Sequence, residues 1–348
     1  MRALRRISAA IIGAVFFLGG VFKLMDPVGT GLIVEEYFKF FHLLFLLPAA
    51  KVAGAALALA EVTVGAALMT DVKHRITGIV SGAFIAFFTL ITFLLWIFNP
   101  AMDCGCFGEV VHLTHAQSLL KNVVLAGLWA LSFIPLTVPY TAKKAKYVGF
   151  GIAVLSCVVF LVYSWRSIPL MDYTPFAPGS EIMRPDDEFS ADAPMLSFCD
   201  ADGVYADSLL FGAGIVAASL YDFDKVCAED AEALNTFMES VSAAGLQPLI
   251  LAAAAPEDIA SGGLFPSENV RYADRRTLMT LNRSNGGVTY LVDGQVVSKW
   301  PAKDLPDGGT LEWLASTDSM EVQMEQTSKP RMKMQAFLLY VFAVMLLI

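Results

Sequence analysis

The residues best able to do chemistry form one short run, Asp103-Cys104-Gly105-Cys106-Phe107-Gly108, followed by His112 and His115. Two cysteines one residue apart have Cα atoms about 5.5–7 Å apart, against the window of about 4.4–6.8 Å in which a disulfide closes. A bridge therefore requires the backbone to turn, and Gly105 removes the steric bar to that turn. The ring is small and strained, and strained bridges are the readily reduced ones. On the oxidising side of a membrane, such a pair suits thiol–disulfide exchange. Two other uses stay open. The pair is a static staple for its loop, or Cys104, Cys106, His112 and His115 together hold zinc or copper(I). Their spacing matches no standard zinc motif. Thr114 to Gln117 has the form of a capping box, which places His115 on a first helical turn without any ligand role.

Membrane segments must position this loop. The chain has 348 residues, 56% of them hydrophobic and 16% charged, beyond the roughly half apolar content of a soluble domain. The apolar excess sits in discrete runs, predicting spans at about 7–25, 52–70, 77–98, 118–138 and 147–165. The first run has a basic start like a signal peptide. It lacks a small-x-small cleavage site, so it is expected to stay as a span. Residues 28–50 carry Glu35, Glu36, Lys39 and His42. Burying those charges is costly, which predicts an interfacial or re-entrant helix. Residues 334–348 form a closing apolar run that is a sixth span, a thinner anchor, or a shortened span. The net charge is −9, and no basic patch with interleaved aromatics occurs. This argues against nucleic acid as a partner and leaves the lipid bilayer.

Lys and Arg cluster at Arg2, Arg5 and Arg6, at Lys73 to Arg75, and at Lys143, Lys144 and Lys146. With 28–50 not crossing, all three clusters fall on one side, which the positive-inside rule makes cytoplasmic. The expected location is the cytoplasmic membrane, with the cysteine loop and everything after Trp165 periplasmic.

Residues 166–184 read as a linker and 185–325 as an α/β unit. The run "GIVAASLYDF" is a buried strand, and "AEDAEALNTFMESVSAAG" an amphipathic helix ending at glycine. "GGVTYLVDGQVVSKW" is a hairpin turning at Asp293-Gly294. Strand, helix, strand, helical stretch, hairpin and final helix in that order suit a thioredoxin-like fold. Its place for a reactive Cys-x-x-Cys holds Cys227 alone. Cys199 lies upstream, and Cys157, mid-span, reads as packing.

Polar residues at the predicted outer ends of spans are candidates to support the cysteines: Lys23 and Asp26 after the first span, Lys121 and Asn122 one turn into the fourth. A lysine near a thiol favours the thiolate, and Asp103 opposes it. Snorkelling explains the lysines equally well. Glu61 is mid-span among small residues. An acid at that depth is a functional candidate by default. It is protonated, pairs with a lysine, or relays a proton to a membrane quinone. Small neighbours also suit a neutral glutamate held between packed helices.

The stretch "DCGCFGEVVHLTHAQSLLKNVVL" resembles the signature of the MauE family within the broader DoxX-like membrane proteins. "FFLGGVFKLMDPVGTG" is similar to that family's first helix and "ALAEVTVGAALM" to its second. The resemblance covers about residues 1–140. Together with 185–325, the layout is similar to DoxX-like proteins of Bacteroidetes type. It implies a four-helix membrane core, here followed by a fifth span. It also implies a link to the maturation of a disulfide-rich partner. Taken with the cysteine loop, the expectation is thiol–disulfide exchange with Cys104 and Cys106 as the working pair and a protein client docking on 185–325. Two departures weigh against redox chemistry in the added domain. It lacks Cys-x-x-Cys, and Asn285-Gly286-Gly287 stands where a thioredoxin-like domain has a proline. The competing expectation is a scaffold or accessory subunit with a structural disulfide.

Overall fold

The computed structural model describes residues 2–135, 143–184, 193–212, 214–266 and 269–347. The tail of the predicted fourth span (136–138), the first residues of the predicted α/β unit (185–192) and residue 348 lie outside them. The chain divides into two compact units, Met1–Trp165 with Met334–Ile348, and Arg166–Lys333.

In the first unit, α1 (Arg2–Met25), α3 (Ala50–Thr70), α4 (His74–Phe98) and α5 (His115–Phe133) form a bundle. Between α1 and α3 lies α2 (Pro27–Phe40), followed by a 3-10 turn, Leu44–Ala49. Contacts fix the direction of each helix. Arg6 at the start of α1 meets Asp71 after α3, at 3.6 Å. Arg5 donates to the Ile134 carbonyl after α5, at 2.7 Å. The His74 and Phe133 rings lie 4.8 Å apart. The N-terminus, the α3–α4 turn and the end of α5 therefore share one end of the bundle. Residues 26–49 begin and end at the other end. The 14 residues of α2 are also fewer than the roughly 20 a span needs, and His42 breaks the helix with φ 58°.

The α1–α3 contact is close because glycines line it. A Cβ at Gly65 would lie 2.5 Å from the Phe17 backbone nitrogen, and one at Gly20 2.7 Å from the Ala58 carbonyl. Small residues let membrane helices approach in this way. Helix α5 ends at Phe133, short of the predicted 138, because Ile134 is extended before Pro135, as pre-proline residues prefer. The short strand β1 (Cys106–Glu109) lies in the α4–α5 loop. Helix α6 (Lys144–Arg166) follows. Six helices among the described residues are long and apolar enough to cross a membrane.

The second unit is a mixed sheet with helices. Its elements are β2 (Phe198–Cys199), β3 (Ile215–Leu220), α7 (Ala228–Ala243), β4 (Gln247–Ala252), α8 (Pro256–Gly262), β5 (Val270–Ala273), α9 (Arg275–Leu281), β6 (Gly287–Val292), β7 (Gln295–Trp300) and α10 (Gly308–Ser316). Strand order is β2-β5-β4-β3-β6-β7. The β3–β4 and β4–β5 pairs are parallel, and β6 runs antiparallel to both β3 and β7. Strand β3 is buried on both faces: Val216, Ala218 and Leu220 pack under α7 and α10, Ile215 and Ala217 under α9. A central strand so covered reads as a continuous apolar run. Asp293 and Gly294 turn the β6–β7 hairpin with φ 48° and 80°, the positive pair a two-residue turn requires.

Residues 166–184, expected as a linker, belong to this unit. Phe176 and Ile182 are in its core, and Asp172 pairs with Lys299 on β7 at 2.6 Å. The closing apolar run extends an earlier helix. Helix α11 (Ser319–Leu347) is continuous and holds Pro330 internally. Its second half packs on the bundle, Phe337 stacking on Phe160 at 4.6 Å and Phe342 meeting Phe17 edge-on at 5.5 Å.

Candidate functional site

The loop from Asn99 to Thr114 closes over the end of the bundle opposite the N-terminus. Its path depends on glycine. Gly105 has φ +58°, and a Cβ there would lie 2.5 Å from the Ile33 Cγ2. Gly105 is thus required by both backbone sign and space, while Gly108 at φ +61° turns the chain again. The α1 side also gives way. At Gly19, a Cβ would lie 3.2 Å from the Cys106 carbonyl, so the loop settles against bare helix backbone. Tyr37 of α2 donates to the Cys104 carbonyl at 2.8 Å. Burial pushes its hydroxyl well above the usual tyrosine range, so it remains a donor.

Cys104 Sγ lies 3.0 Å from His115 Nδ1. The other ring nitrogen, Nε2, is 3.1 Å from the Pro100 carbonyl. A carbonyl only accepts, so Nε2 carries a hydrogen, and in that tautomer Nδ1 turns its lone pair on the thiol. Cys104 is 7% exposed. Burial pushes its thiol above the ordinary value. The Ser118 hydroxyl and the Lys121 charge favour the thiolate, while Cys106 and Asp103 oppose it. The Ser118 hydroxyl is buried and makes no hydrogen bond of normal geometry, which leaves it available to a sulfur that gains charge. The resting form is therefore a thiol with a base already in contact. The capping box is present, Thr114 and Gln117 bonding reciprocally, and it holds His115 at the first turn of α5.

Cys106 faces a different setting. It lines a cavity of about 30 Å³ together with Gly19, Lys23, Glu61, Phe107, Lys121 and Asn122. Lys23 Nζ bonds both Glu61 oxygens, at 2.6 and 2.8 Å, and the two residues are 6% and 3% exposed. The ammonium also lies 5.7 Å from the Phe88 ring centroid. Lys121 sits over Phe107 at 5.0 Å. Asn122 donates to Thr92 at 3.1 Å, tying α5 to α4.

Of the residues singled out by sequence, Cys106, Lys23, Glu61, Lys121 and Asn122 thus meet around one cavity. Asp26 has a capping role at the start of α2, its side chain accepting from the Gly29 N–H at 2.8 Å. Asp103 meets His112 at 3.2 Å in an exposed pair. The four residues of the metal alternative are split, His115 with Cys104 and His112 with Asp103. Among the described residues, no three His, Cys, Asp or Glu side chains converge as ligands. Cys104 and Cys106 are not bridged to each other, and Cys157, Cys199 and Cys227 are also free. A membrane quinone does not fit the inner cavity, whose volume is far below the roughly 300–1,000 Å³ of a small-molecule site. Sequence reasoning missed Tyr37, Gly19, Ser118 and the contact made by His115.

A helical bundle with buried polar residues and a two-cysteine loop at one end defines a multi-pass membrane protein in contact with the lipid bilayer. Residues 1–135 match the family model described as Methylamine utilisation protein MauE, so this part of the chain is MauE-like. The matched range ends before α6, and the α/β unit lies outside it. Comparison with curated proteins and with solved structures gave no match.

Proposed function

We propose that the protein carries out thiol–disulfide exchange with a protein client at the extracytoplasmic face of the cytoplasmic membrane, in the maturation of a disulfide-containing partner. The observation that carries this reading is the 3.0 Å contact of Cys104 Sγ with His115 Nδ1, with a second cysteine one residue away. His115 takes the Cys104 proton, and the sulfur attacks a client disulfide to give a mixed disulfide. Cys106 then attacks the Cys104 sulfur, closing the Cys104–Cys106 bridge and leaving the client with two thiols. Run backwards, the same steps oxidise the client. A second protein resets the pair, a dithiol after client reduction and a disulfide after client oxidation, and no step passes through a quinone. The 7% exposure of Cys104 means that the loop must open to admit a client.

The MauE match supports a membrane protein of methylamine utilisation or similar redox context. The placement of the first two basic clusters at one end of the bundle, opposite the cysteine loop, supports a periplasmic loop. We read the α/β unit as thioredoxin-like on the order β4-β3-β6-β7 with its antiparallel hairpin. Its task is to present the client, since Cys227 has no partner two residues away.

The second reading, a scaffold with no exchange activity, is favoured by that missing partner. One experiment separates the two. In membranes, Cys106→Ser is expected to trap a client as a mixed disulfide on Cys104, and Cys104→Ser to trap none. Two variants that trap nothing and lose abundance alike would establish the scaffold instead.

A further inference from the structure

Something must move before a client reaches the Cys104 sulfur, and burial along α2 shows where. Every residue from Pro27 to Leu32 is buried, and none from Ile33 to Ala49 is. The first half of α2 is seated on α3. A Cβ at Gly31 would lie 2.9 Å from the Lys51 Cα, and one at Gly54 would lie 3.0 Å from Thr30 Cγ2. Asp26 caps this half, and the Thr30 hydroxyl donates to the Lys23 carbonyl at 3.0 Å. The second half has no such seat. The chain leaves the helix at His42, passes through exposed Leu43, Leu44 and Phe45, and is buried again at Ala50. Segments with few buried groups are the ones that open locally at little free-energy cost.

The cover over the cysteines comes from this loosely held half. Tyr37 donates to the Cys104 carbonyl at 2.8 Å, and Ile33 fills the space beside Gly105. The other sides of the loop are fixed. Cys104 Sγ and the Pro100 carbonyl both meet the His115 ring of α5, and the Cys106 carbonyl rests against Gly19 of α1. The weakest boundary of the site is therefore the one with α2.

We infer that residues 33–49 are a lid on the cysteine loop, hinged after Leu32 and before Ala50, and that the Tyr37 hydroxyl is its latch. Tyr37 is a positioning residue. It holds the backbone of Cys104 and leaves the sulfur to His115, so the lid closes without displacing the base from the thiol. Hinging after Leu32 breaks the helix hydrogen bonds that run from the N–H groups of residues 33–36 to the carbonyls of residues 29–32. The inference deepens the exchange reading by naming the motion that admits the client, and it rests on that reading for this use alone. The leucines and phenylalanine at the tip suit a bilayer interface, so the lid is tested in a bilayer.

The test uses the full chain in phospholipid nanodiscs, with Cys106, Cys157, Cys199 and Cys227 replaced by serine so that Cys104 is the single thiol. Loss of one net hydrogen bond shifts an equilibrium by about 2- to 12-fold. Tyr37→Phe, which keeps the ring, is therefore expected to speed N-ethylmaleimide labelling of Cys104 by a factor in that range. Amide hydrogen exchange over 33–36 should rise by a similar factor, while exchange over 27–32 and in α3 stays as it was. A hinged lid requires that contrast, and a general loosening of the bundle does not give it. Ile33→Ala removes the other contact and should act in the same way. It decides the matter should Tyr37→Phe fail to accumulate. Labelling, or exchange over 33–36, that stays at the parent rate in the deciding variant overturns the inference, and so does exchange that rises alike over 27–32. None of these readouts involves a client. Failure of the exchange reading is seen separately, as absence of mixed disulfides in the trapping experiment above.

Discussion

Replacing Lys23 by methionine strands the Glu61 carboxylate between packed helices. The ammonium sits about 2.7 Å from the carboxylate oxygens, taking the middle of the two contacts. At an effective dielectric of about 20, the attraction is about 6 kcal/mol. Desolvation of two ions costs several kcal/mol each, so the pair as a whole contributes little net stability. Removing one partner is different, because the desolvation cost of the other remains: the expected loss is about 3–5 kcal/mol. Glu61→Met alone should cost a similar amount. The double variant Lys23→Met/Glu61→Met should return to within about 1 kcal/mol of the parent, since methionine fills most of the volume and no charge is left. Unfolding of the purified protein in mixed micelles, followed by helical circular dichroism, measures all four corners of the cycle. Single-variant losses that simply add in the double would refute the argument, as would a loss under about 1 kcal/mol for Lys23→Met.

Gly105→Ala should destabilise the loop in two separable parts. The left-handed backbone costs about 1–2 kcal/mol, and the methyl's approach to Ile33, 2.5 Å from Cγ2, adds strain. Combining it with Ile33→Ala should remove the strain alone, as read by thermal unfolding. In the α/β unit, burial works against the Asp172 charge. Lys299 and the Thr174 backbone N–H, which donates to the carboxylate at 2.9 Å, outweigh it and hold the carboxyl below its usual value. A lowered carboxyl stabilises the folded state above the unfolded value of about 4 and loses that contribution as pH falls below it. The gap in denaturant midpoint between the parent and Asp172→Asn should therefore be wide at about pH 6 and narrow toward about pH 3. A constant gap would show that the pair is not the cause.

The elements that follow local rules were legible in the sequence. Asp293-Gly294 announces its hairpin, and Thr114 to Gln117 announces the start of α5. Glu61 stood out because an acid amid small apolar residues has no local reason to be there. Its partner Lys23 lies 38 positions away, and the pairing depends on α1 and α3 running antiparallel at glycine-lined contact. The role of His115 was illegible for a similar reason. Its ring meets Cys104 only because the loop doubles back over Pro100, a path set by Gly105 and Gly108 rather than by any spacing motif. Asp26 was readable in a second way: an aspartate before a proline is a helix start signal, and it caps α2. Gly19 looked like one more small residue in a membrane helix. Its significance depends on a carbonyl that reaches it from 87 positions away in the chain.

Helix α11 runs without interruption from the α/β unit back into the bundle. The unit at Arg166–Lys333 is therefore an insertion with a helix long and apolar enough to cross a membrane at each of its ends, α6 before it and α11 after it. A protease that cuts once anywhere within it produces two fragments, each still carrying an apolar helix long enough to hold it in a bilayer. Only two cuts set a piece free. Shedding, the usual fate of a domain hung from a single stalk, is thus closed to this one by chain connectivity alone.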